Sequence, residues 1–125
     1  MRRVYDITPL GKPRMTRKDR WAKREPVLRY RAFCDECRLR GVQLPEAGAH
    51  VTFVLPMPRS WAKKKRAAMN GQPHQQKPDS DNLAKSLLDA LFGDDAHVWD
   101  LRVTKRWGEQ GQIIIETATT MGAAA

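Results

Sequence analysis

Cysteine is almost missing from this 125-residue sequence: Cys34 and Cys37 form a single C-x-x-C. A structural zinc site needs a second ligand pair. His50, His74 and His97 do not supply one at ligand spacing. A redox pair favours a strand-to-helix entry, whereas Val27, Tyr30, Phe33, Cys34 and Cys37 recur at helical spacing. Both sulfurs are therefore expected in a core. Long apolar runs are missing too, which excludes a membrane-spanning helix. The opening MRRVYDITPL has no signal-peptide pattern, so a cytoplasmic protein is expected. With 41% hydrophobic residues, a chain of this length is expected to fold around one modest core.

Negative charge is scarce except in one place. Residues 79–100 hold six aspartates against one basic residue, Lys85, a local charge of −5. The other 103 residues carry 22 Lys/Arg against 8 Asp/Glu, and the whole chain has a formal charge of +9. So basic a body suits a polyanion, whose phosphates would supply much of the binding free energy. The acidic stretch within it requires its own explanation.

The order of elements predicts an α+β single domain with a mixed β-sheet and flanking helices. Residues 4–7 read as a first strand, and residues 8–25 as a basic loop. Pro26 starts a helix that runs to about Arg40, with Gly41 as its stop. Residues 50–55 alternate as a half-buried strand. Ser60 is placed to cap a short basic helix in WAKKKRAAMN, and residues 82–92 form an amphipathic helix on Leu83, Leu87 and Leu91. Residues 98–106 alternate Trp99, Leu101 and Val103, which puts Trp99 in the core. They are followed by a turn and a strand over residues 112–117, read as a hairpin. The domain is drawn at residues 1–118, with a mobile tail at 119–125.

The stretch KPDSDNLAKSLLDALFGDD carries the candidate chemistry. If Asp79-Ser80-Asp81 is extended, its two carboxylates share one side. Carboxylates with waters and a substrate phosphate make a site for a hard cation such as Mg2+. Lys85 lies one helical turn past Asp81, in reach of a phosphate. The plainer reading makes Asp81 a helix cap, pairs Lys85 with Asp81 and Asp89 on the surface, and leaves Asp94 and Asp95 as a turn. A helix over residues 82–92 spans about 15 Å, so one ion cannot readily join Asp79 and Asp81 to residues beyond its end. Either the flanks fold back, or two chains set these helices antiparallel and share two composite sites. The shared arrangement is the expectation taken forward.

The pattern K-P-D-S-D-N-L-x-K-x-x-x-D-A-L, followed by G-D-D-A-x-V and K-R-W-G, resembles the RusA family of Holliday-junction resolvases, especially phage and prophage members. The resemblance is dense over residues 51–117. It implies a RusA-like fold and a homodimeric, Mg2+-dependent endonuclease, with Mn2+ as a substitute, that nicks two strands of a four-way DNA junction in recombination and repair within a bacterial host cell. It assigns metal-binding and catalytic roles to Asp79, Asp81 and Asp95, and the catalytic lysine to Lys85. Asp94, Asp89 and Asp100 are given supporting places. The basic segment at about residues 58–76 looks like an insertion relative to the shorter bacterial form.

DNA contacts are expected from Arg14, Arg17, Lys18, Arg20, Lys23 and Arg24, with Trp21 among them for base stacking. Lys63, Lys64, Lys65 and Arg66 form a second patch beside Trp61, and Lys105 and Arg106 a third. Two rivals stay open: a non-catalytic DNA-binding protein, and a metal nuclease of broader taste for branched nucleic acids.

Overall fold

A computed structural model of the chain describes residues 1–14 and 24–118. The order is β1 (Arg2–Tyr5), α1 (Glu25–Leu39), β2 (Ala49–Pro56), α2 (Lys63–Met69), α3 (Ser80–Leu91), β3 (Leu101–Gly108) and β4 (Gln112–Thr117). The strands form one mixed sheet in the order β1-β4-β2-β3, an α+β architecture as expected. Among the described residues no helix is long and apolar enough to cross a membrane.

The central strand is β2, whose Val51 and Phe53 are fully buried. It pairs parallel with β3 and antiparallel with β4. A parallel pair needs a long crossover, and the chain between β2 and β3 supplies it through α2 and α3. The expected β3–β4 hairpin is therefore wrong. Both strands flank β2, and residues 109–111 carry the chain past its end. A short polar turn is a local signal, and the more apolar β2 wins both partners.

Helix α1 buries Val27, Tyr30, Phe33, Cys34 and Cys37, the stripe read from the sequence. It ends at Arg40, and Gly41 follows at φ 66°, where a glycine meets no Cβ penalty. Helix α3 buries Leu83, Ser86, Leu87 and Ala90 and packs against α1 and β3. These side chains meet Val51, Phe53, Ile113 and Ile115 in one core.

Three smaller expectations are corrected. Trp99 is 69% exposed, because β3 starts only where Leu101 meets Ala49 of β2, and its indole N–H donates to the Glu46 carbonyl at 3.0 Å. Ala62, not Ser60, occupies the N-cap position of α2, with no side-chain cap. The first strand lies at Arg2–Tyr5, set by the pairing of Arg2 with Glu116.

Candidate active site

Helix α3 begins at Ser80, two residues earlier than the expected start at residue 82. Asp79 is its N-cap, with extended backbone (φ −67°, ψ 152°), and Ser80 opens the helix. Asp81 thus lies inside the first turn, so the tripeptide is not extended throughout. Neither aspartate caps the helix by side chain: Asp79 makes no such bond, and Asp81 is already helical. Both carboxylates still open on one groove of about 680 Å3, walled by Leu10, Gly11, Lys77, Pro78 and Asn82. Both are exposed, and neither is engaged by a hydrogen bond or ion pair to a described residue. The positive end of the helix macrodipole favours acidic groups and phosphate there.

Gly11 is a part of this groove that sequence reasoning missed. A Cβ on it would fall 2.7 Å from Asn82 Nδ2 and 3.0 Å from Pro78 Cβ, so any larger residue would have to push the Asn82 side chain aside and crowd Pro78. The signal lay in a glycine flanked by two prolines at short range, but nothing local names the helix it meets.

Lys85 is exposed one turn beyond Asp81 and makes no ion pair with a described residue. Neither surface pair of the plainer reading forms: Lys85 meets neither Asp81 nor Asp89, and Asp89 is engaged elsewhere. Its Oδ2 accepts from Lys12 Nζ at 2.5 Å and from the Tyr30 hydroxyl at 3.2 Å. Burial, then the neighbouring Cys34 and Asp89, hold the Tyr30 hydroxyl well above its ordinary pKa.

At the other end, Phe92 closes α3 in an extended conformation. Asp94 Oδ1 accepts the Ala96 amide at 2.9 Å and shapes the turn. Asp95 contributes its carbonyl to the Val98 amide and leaves its exposed carboxylate unengaged among the described residues. The 12 residues of α3 separate this end from Asp79 by about 18 Å. Among the described residues, no three His, Cys, Asp or Glu side chains gather in metal-holding geometry. A largely apolar hollow of about 340 Å3 beside this end is lined by Leu44, Phe92 and Trp99, with Glu46 and Asp100.

Asp79 and Asp81 at one end of α3 and Asp95 beyond the other offer only short-stemmed carboxylate oxygens, unpaired with any cation among the described residues, and the chain by itself does not bring the three together. Carboxylate oxygens suit a hard divalent ion and not a soft one. The histidines are spent on structure. His50 Nε2 meets Thr104 Oγ1 at 2.9 Å, His74 lies on Trp107 at 4.2 Å between centroids, and His97 packs edge-on against Phe92.

The basic residues divide into engaged and available. Lys63 and Lys64 project from α2, which buries nothing, and Lys65 lies over the Trp61 ring at 4.3 Å. Trp61 in turn packs on Trp107 at 4.9 Å. Arg66 bonds the Pro58 carbonyl and Glu109, and Arg106 bonds the Gly71 carbonyl. Lys105 Nζ donates to the carbonyls of Gln76 and Pro78. Arg14 is exposed, and its carbonyl accepts from Arg24 at 3.2 Å. Arg17, Lys18, Arg20, Trp21 and Lys23 lie outside the described residues, as do residues 119–125.

A family model described as "Endodeoxyribonuclease RusA" matches residues 5–117. No curated protein matches the chain by sequence.

Proposed function

Because the chain belongs to the RusA endodeoxyribonuclease family, we propose that it resolves four-way DNA junctions by paired, Mg2+-dependent phosphodiester hydrolysis during recombination and repair. The observation that carries this reading is the groove at the start of α3, where Asp79 and Asp81 stand exposed and unpaired among the described residues of a strongly basic chain.

Asp79, Asp81 and Asp95 would hold the ion. When bound, Mg2+ supplies water activation and charge neutralisation at the phosphate. Asp79 and Asp81, on the rigid first turn of α3, fix the geometry of the site. Lys85, one turn on, sets its ammonium against a non-bridging oxygen and offsets charge that grows in the transition state. In-line attack breaks the P–O3′ bond and leaves 5′-phosphate and 3′-hydroxyl ends, with the proton of the attacking water passing to solvent.

The length of α3 supports a site shared by two chains. Asp79 and Asp81 of one protomer would meet Asp95 of its partner across antiparallel α3 helices, and twofold symmetry would repeat the arrangement. A junction needs two nicks, and a symmetric pair supplies both in one encounter.

The test incubates a synthetic four-way junction, linear duplex and flap with the protein and Mg2+. Cleavage of the junction in preference to the others is expected, and Asp81→Asn should bind it but leave it intact. Binding without cutting by the wild-type chain would make it a DNA-binding protein. Equal cutting of all substrates would make it a broader nuclease.

A further inference from the structure

Register places Lys105 opposite Phe53, on the same side of the sheet as Val51 and Leu55. Alternation puts it in one row with Leu101, Val103 and Trp107, facing the helices. A lysine in an otherwise apolar inward row is costly unless its ammonium finds acceptors. Lys105 finds two backbone carbonyls, Gln76 O at 2.6 Å and Pro78 O at 2.8 Å, the second immediately before Asp79.

What those bonds hold explains why they matter. Residues 71–74 run along the outer edge of β3. Gly71 N–H donates to Trp107 O, Trp107 N–H to Gln72 O, and His74 N–H to Lys105 O. Beyond His74 this backbone ladder stops. The next backbone bond outside α3 joins Leu83 N–H to the Asp79 carbonyl, within the helix's own first turn. Among the described residues, the polar tie between residues 75–79 and the sheet is therefore the Lys105 ammonium. Charge-assisted bonds of this kind are about twice as strong as neutral ones. The lysine stands at the positive end of α3, where the macrodipole alone would disfavour it, so the carbonyls are what keep it there.

We propose that Lys105 is a positioning residue: its ammonium pins the carbonyls of Gln76 and Pro78 and thereby sets where Asp79 and Asp81 stand in the groove. This rests on the reading of those aspartates as metal ligands. Lys105 acts on the ion through the backbone, not by touching phosphate.

The experiment compares the wild-type chain with Lys105→Met, which keeps the stem and removes the donors, and Lys105→Gln, which keeps a donor. Amide hydrogen exchange over residues 76–83 is read without metal or DNA. Mn2+ binding to the protein is read by calorimetry, junction affinity without metal by a salt series, and cleavage by single turnover. For Lys105→Met the expected results are faster exchange over that segment, at least about tenfold weaker Mn2+ binding, and cleavage slowed about 100-fold by displaced ligands. Metal-free junction affinity and its salt slope should be unchanged, with Lys105→Gln intermediate. Unchanged exchange and Mn2+ binding would overturn the proposal. So would a salt slope reduced by about 0.9, the mark of a lost phosphate contact. Should Lys105→Met fail to fold, Lys105→Gln decides by the same readouts. If the wild-type chain itself cuts no junction, the functional reading fails, while exchange and Mn2+ binding still judge the lysine.

Discussion

Lys12 and Asp89, 77 residues apart in sequence, meet at 2.5 Å, with the Tyr30 hydroxyl 3.2 Å from the same carboxylate oxygen. This contact ties the chain leaving β1 to α3 and engages the carboxylate one turn past Lys85.

Asp89→Asn should therefore preserve cleavage, because the Asp89 carboxylate is already engaged by Lys12 and Tyr30. The two charged side chains are 37% and 41% exposed, so solvent screens the pair and its loss should cost no more than about 1 kcal/mol. Denaturant titration and the junction assay measure the two effects. Abolished cleavage at unchanged stability would make Asp89 part of the active site.

His74 should make stability fall on acidification. Burial first, then the Lys105 charge, lowers its pKa below the ordinary value, and its Nδ1 is buried without a hydrogen-bond partner. Above about pH 6.5 the ring is neutral in both folded and unfolded chains. As pH drops through that value the unfolded chain binds the proton first, so unfolding becomes easier until the lower, folded-state pKa is passed. Thermal denaturation from pH 7.5 to 5 should show a steeper loss for the wild-type chain than for His74→Phe. Parallel curves would contradict this.

Leu87→Ala should destabilise the chain by about 2–5 kcal/mol, since Leu87 is fully buried between α3 and β2 and its removal leaves a cavity. Leu39 is 87% exposed, and Leu39→Ala should change stability by less than about 0.5 kcal/mol. Equal losses by urea denaturation would contradict this placement of the core.

Cys34 and Cys37 should react with thiol reagents only as fast as the chain unfolds. Both are buried and unpaired with each other, and burial raises both thiols, Cys37 to about 12. Rapid labelling of native protein at neutral pH would show them to be accessible.

Much of this architecture was legible because periodicity is local. Leu83 and Leu87, or Phe33 and Cys37, announce their buried sides within one or two turns. Strand partnership is not local, and the short turn after Gly108 gives no hint that β2 lies between β3 and β4. Trp99 misled because alternation carries no marker of where pairing begins. Asp79, Asp81 and Lys85 stood out as candidates, since clustered carboxylates are conspicuous in a basic chain, whereas Asp95 joined them only through the family resemblance. That Asp79 takes the N-cap position of α3, without a side-chain cap, while Asp81 lies within its first turn was not legible, because nothing local fixes where the helix starts. Lys105 could have been noticed as the one charge in the inward row of Leu101, Val103 and Trp107.

The most direct test of the shared site co-expresses Asp81→Asn and Asp95→Asn chains with distinct tags and isolates the heterodimer. Each variant alone should leave a four-way junction uncut. The heterodimer should regain one intact site and nick a single strand, because the undamaged Asp79 and Asp81 of one protomer meet the undamaged Asp95 of its partner. A heterodimer as inactive as either parent, or a monomer that cleaves fully, would contradict the account.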